Sequence, residues 1–144
     1  MTPEHRIGPE RRPFYTPPGP QAEHIVRTVL ERLSRVEDEF RIVEAFVTHG
    51  AGFAAFLRLK DTAPDDPTLM WRYEECYADA WESLDDLVTD TIEALGWREA
   101  LADFRKAEGI PDTHLVWNHA ALYGHLHEMY DFVELDGLIH AFHR

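Results

Sequence analysis

The stretch 73-YEECYADAWESLDDLVTDTIEALG-96 decides how the chain is read, because it carries eight carboxylates and no lysine or arginine. They are Glu74, Glu75, Asp79, Glu82, Asp85, Asp86, Asp90 and Glu93. From Ser83 onward Leu84, Leu87, Val88, Ile92 and Leu95 recur at three- and four-residue spacings, the stripe of an amphipathic helix whose apolar face seeks a core. Ser83 with Asp86 three residues later predicts the N-cap, and Gly96 predicts the C-terminal stop. Glu82, Asp86, Asp90 and Glu93 then form a row on the outer face, with neighbours about 5–6 Å apart. Like charges at i,i+4 cost a helix about 0.2–0.5 kcal/mol per pair, so a row without interleaved bases calls for an explanation. It is either the solvated face of an acidic protein or a surface shaped to a partner.

The acidity is unevenly placed. Residues 1–60 hold eight acids and nine Lys or Arg, whereas residues 61–144 hold nineteen acids and five bases, so the formal net charge of −13 arises wholly in the second part. Such a balance disfavours nucleic acid and anionic membrane as direct partners and favours a basic protein surface. With 144 residues, 44% of them hydrophobic, the chain can build a genuine core. Cys76 is the sole cysteine, which excludes an internal disulfide and a cysteine-based zinc site and fits a reducing cytoplasm. No apolar run reaches membrane-spanning length and no secretory signal pattern is present, so a cytoplasmic protein is expected.

Working outward, residues 1–20 are rich in proline and carry Arg6, Arg11 and Arg12, and read as an extended arm. A second segment, 21–60, opens with a stretch from Gln21 to His49 that lacks Gly and Pro. There Val26, Val29, Leu33, Val36, Phe40, Val43 and Val47 alternate in threes and fours, predicting one helix about 43 Å long. That heptad face packs either on a second copy, making a homodimer, or on the protein's own globular part. FAAFLRLK (53–60) follows as a buried helix or strand. The third segment, 61–144, is an acidic α+β domain. Residues 69–77 suggest a short helix or irregular segment, and 98–109 a helix with Leu101 and Phe104 on one face. Asn118 caps a further helix whose Leu122, Leu126 and Met129 face inward. Asp136-Gly137 turns a terminal β-hairpin. The fold class is therefore α+β and mostly helical, with a long N-terminal helix, acidic helices and a small C-terminal antiparallel hairpin or sheet.

No phosphate-binding loop, dinucleotide glycine pattern or nucleophile elbow occurs. His114, His119, His125, His127, His140 and His143 raise the question of a metal. On a helix, however, His125 and His127 point to different faces, and on a strand His140 and His143 do likewise. No metal ligand, cofactor or catalytic residue is assigned.

Three stretches, ECYADAWESLDDLVTDTIEALG, IPDTHLVWNHAALYGHL and YDFVELDGLIHAFHR, together resemble the C-terminal part of the ArdA antirestriction family. The matching positions are Tyr77, Ser83 to Gly96, Ile110-Pro111, the helix after Asn118, and Phe132 to Arg144, so the resemblance spans about residues 69–144. It implies a DNA mimic that presents carboxylates in place of phosphates to a type I restriction-modification enzyme, acts as an elongated dimer, and is carried by a mobile element. The eight carboxylates above would be the partner-binding groups. The competing expectations are an acidic adaptor or dimerisation module using the 21–49 face, and, third, a histidine-dependent metal enzyme.

Overall fold

A computed structural model describes residues 15–144, so most of the expected arm lies outside the described residues. The elements run α1 Pro20–Arg32, α2 Val36–His49, α3 Ala51–Phe56, α4 Leu69–Cys76, β1 Tyr77–Trp81, α5 Leu84–Ala94, α6 Trp97–Glu108, α7 His119–Met129, β2 Tyr130–Leu135 and β3 Leu138–His143. The fold is α+β and mostly helical. Its three strands form one antiparallel sheet in the order β1-β3-β2, with the expected Asp136-Gly137 turn joining β2 to β3. Both turn residues have positive φ, 49° and 81°, as a tight two-residue hairpin requires.

The single helix expected over 21–49 is two helices. The chain is extended at Leu33 and again at Arg35, and α2 folds back beside α1. Packing overrides helical continuity here, because a straight 43 Å rod would carry α2 away from the core, whereas the break lets Ile42 and Ala45 become buried. Glu37, Asp38 and Glu39 occupy the first turn of α2, where the helix dipole favours negative charge.

α3 is buried throughout and lies at the centre of the larger core. Around it gather Ala22, Val26 and Val29 of α1, Leu69 and Tyr73 of α4, Tyr77, and Leu135 and Phe142 from the sheet. The step in charge at residue 61 is thus not a boundary in packing. Tyr73 is stacked on Tyr77 at 4.9 Å and meets Phe53 and Phe56 edge-on at 5.7 Å. Gly52 makes room for it, since a Cβ there would stand 2.3 Å from the Tyr73 hydroxyl oxygen. On the other face of the sheet Trp81, Leu87, Val88, Ile92, Leu126 and Ala141 form a smaller core beneath α5 and α7.

Two helices depart from expectation. No residue of α6 is buried, and Phe104 is 52% exposed, so its apolar stripe finds no core among the described residues. On α7 Leu126 is buried and Leu122 packs against the smaller core, but Met129 stays exposed. Tyr77–Trp81 was not expected as a strand. It pairs with β3 as the third strand of the sheet, with an irregularity between Tyr77 and Asp79.

The first helix is tied to the last hairpin by one carboxylate. Asp136 accepts from the backbone N–H groups of Gly19 at 3.1 Å, Gln21 at 2.9 Å and Ala22 at 3.0 Å, while Gln21 Oε1 accepts from Asp136 N–H at 2.7 Å. α1 has no side-chain cap of its own at Gly19, so the turn supplies it from 117 residues away. Gly19 is required for this approach, because a Cβ there would lie 2.6 Å from Asp136 Cγ.

Asp136→Asn keeps the left-handed turn and one acceptor but removes the charge, and is expected to lower unfolding free energy by about 1 kcal/mol in urea titration. Gly19→Ala is expected to be destabilising as well. Wild-type midpoints for both variants would show that the cap does not hold α1.

Candidate functional site

The structure draws together Glu82, Asp86 and Asp90, three of the four carboxylates of the expected row. With Thr16, Ala80, Trp81, Thr89 and Leu138 they line an open cleft of about 350 Å³ between α5 and the β1 side of the sheet. Among the described residues, no lysine or arginine lines it. Ser83 caps α5 as the sequence predicts, its Oγ accepting from Asp86 N–H at 3.1 Å, and Gly96 ends the helix in the left-handed conformation with φ 72°. Glu82, however, precedes α5, so the expected row of four is not a single helical row.

Each carboxylate is held differently. Trp81, whose indole is buried in the smaller core, directs its Nε1–H to Asp90 Oδ2 at 2.8 Å. Asp79, on β1, accepts from Ala80 N–H at 2.7 Å. Asp85 lies on another side of α5, where it accepts from the Tyr123 hydroxyl and stands 3.9 Å from His119 Nδ1. A hydrogen bond from indole, phenol or peptide orients a carboxylate without cancelling its charge. At Glu93, Arg98 approaches at 3.4 Å and offsets the charge.

Glu74 and Glu75 do not join this group. Glu74 Oε2 is 3.1 Å from Nε2 of the buried His49, whose ring lies 4.7 Å from Tyr73. Glu75 lines a separate cleft of about 700 Å³ beside the edge strand β2, together with Arg58, Lys60, Arg72, Arg144, Trp71 and Cys76. There Arg72 bonds Asp66 and Arg144 bonds Asp131, each at 3.2 Å, and burial pushes the Cys76 thiol up. Of the eight expected carboxylates, three therefore surround one cleft, with Asp79 and Asp85 nearby on β1 and α5.

The expected dimer face divides at the helix break. Val26 and Val29 are buried in the protein's own core and Leu33 packs partly against it. Val36, Phe40, Val43 and Val47 remain exposed on α2.

Among the described residues, no group of three or more His, Cys, Asp or Glu side chains is arranged to hold a metal. His140 instead lies fully buried in the sheet, with Nδ1 3.0 Å from the Tyr77 hydroxyl and Nε2 without a hydrogen-bond partner. Among the described residues, no helix is long and apolar enough to cross a membrane.

No family model, characterised protein or solved structure matches the chain. The site must therefore be read from its own geometry and charge.

Burial holds the His140 imidazole down to about 4 from its usual 6.5, against the opposing pull of Asp79 and Asp136. Below pH 6.5 the unfolded chain takes up a proton here that the folded chain refuses until about pH 4, so stability falls as pH drops through that window. The expected slope for this one group is about 1.4 kcal/mol per pH unit. Urea unfolding at pH 7, 6 and 5 should resolve it, and His140→Gln should flatten the dependence.

Proposed function

We propose that the protein is a DNA-mimicking inhibitor of a DNA-binding defence enzyme, with a type I restriction-modification enzyme as its target class. It acts by occupying the enzyme's DNA groove and carries out no catalysis itself. The observation that carries the reading is the cluster of Glu82, Asp86 and Asp90 along one cleft edge. It lies in the part of the chain where nineteen acids face five bases. A DNA strand offers one phosphate per about 3.4 Å of axis, and carboxylates about 5–6 Å apart along α5 make a sparser line of the same sign. Asp79 on β1 and Asp85 on another side of α5 add acid beside that line.

Rigidity supports the reading as much as charge does. A mimic binds well when its charges already stand where phosphates would, because a flexible side chain loses rotamer freedom on docking. Trp81 and Tyr123 orient Asp90 and Asp85 through neutral donors. The resemblance of residues 69–144 to the ArdA family points the same way. Such an inhibitor works in the cytoplasm, where its target acts and where a chain with Cys76 alone needs no disulfide.

Glu82→Gln with Asp86→Asn and Asp90→Asn removes three charges and keeps an acceptor for the Trp81 indole. Inhibition of DNA cleavage by a purified type I restriction enzyme is expected to weaken about tenfold or more, with unchanged thermal stability. Affinity should also decline as salt is raised, and excess duplex DNA should displace the protein. Unaltered inhibition by the triple variant, or a complex that forms equally well on DNA-filled enzyme, would refute the mimic.

A further inference from the structure

α2 has apolar stripes on opposite faces. Ile42 and Ala45 turn into the core, whereas Val36, Phe40, Val43 and Val47 are 68%, 74%, 44% and 70% exposed. The outward set follows the alternating three- and four-residue spacing of a coiled-coil seam. A contiguous line of large apolar side chains on a protein surface marks a place where something docks.

We propose that this seam receives an amphipathic helix with basic flanks from a different protein, and that a second copy of this chain is not its occupant. The rim of the seam separates the two. With Val36 and Val43 at d and Phe40 and Val47 at a, Glu37 and Glu44 fall at e, and Glu39 and Phe46 at g. In a parallel pair of identical helices Glu39 faces Glu44 of the other copy. In an antiparallel pair Glu37 faces Glu44, and by symmetry does so twice. Self-association thus sets like charges together in both orientations.

The nearby bases do not remove the conflict. Arg35, just before α2, lies 3.4 Å from Glu37 and offsets that one charge, while Arg41 is engaged with the buried Asp38 at 2.6 Å. Glu39 and Glu44 keep theirs. A partner helix carrying Lys or Arg at its e and g positions would cover the apolar line and meet these carboxylates with opposite charge. The inference uses only α2, so it stands or falls separately from the acidic cleft on α5.

Two synthetic helical peptides test it, both with leucine at a and d, one with lysine and the other with glutamate at e and g. Binding to the full chain is read by fluorescence anisotropy. The lysine peptide should bind at least about tenfold more tightly than its glutamate twin. Phe40→Ser with Val47→Ser leaves every charge in place on an exposed face, and should weaken the lysine peptide by about tenfold or more. Glu39→Lys with Glu44→Lys should reverse the preference, and the Glu82, Asp86 and Asp90 triple variant should leave it unchanged. Equal binding of both peptides, or a serine variant that binds like the wild type, overturns the proposal. So does sedimentation showing a dimer that Phe40→Glu dissolves, which would make a second copy the occupant.

Discussion

The carboxylate of Asp136 joins the two ends of the described chain in a way no apolar contact does. It satisfies three peptide N–H groups at the start of α1, and it does so from a hairpin turn whose geometry it also helps set. A helix that begins at Gly19-Pro20 has a favourable first-turn proline but no hydroxyl or carboxylate of its own to meet its open donors. With Asp136 in place, Ala22, Val26 and Val29 are held in the same core as Leu135 and Phe142, and α3 is enclosed between them. The aromatic group around Tyr73 then has walls on all sides.

Signals local to the chain were legible in the sequence, and those that depended on distant contacts were not. Ser83, Gly96, Asn118 and Asp136-Gly137 each act through neighbours a few residues away, and each ends or turns its element as their chemistry predicts. The break after Arg32 was missed because no Gly or Pro marks it. Ser34 and the acids Glu37, Asp38 and Glu39 were the available clue to a new helix start. The heptad spacing was real, but α2 has a second stripe through Ile42 and Ala45, and only packing against α3 decides which of them faces inward. β1 was hidden for a similar reason. Tyr77–Trp81 has a carboxylate at its centre and becomes a strand through pairing with Ile139 to Phe142, far along the chain.

The acidic region was legible as composition and only partly as geometry. Counting charges placed eight carboxylates in one stretch, yet the fold sends Glu74 to a buried histidine and Glu75 among arginines. What remains around α5 is smaller and better ordered than a charge run would be. Trp81 could not have been recognised as an orienting donor, because its bond to Asp90 spans the turn between β1 and α5. The same holds for Tyr123, which reaches Asp85 from α7.

The order of the sheet has a consequence for how the protein is made. β3 is the central strand, flanked by β1 and β2, although it comes last of the three in the chain. During synthesis β1 emerges with no partner to pair with, and α1 emerges without its cap. Both wait until residues near 143 have cleared the ribosome. Tyr73, Phe53 and the α3 segment can meet α1, α2 and α4 early, but their enclosure is complete only once Leu135 and Phe142 arrive. A chain cut short before β3 would lack the central strand, leaving β1 and β2 without the partner they share and the core around α3 without Phe142.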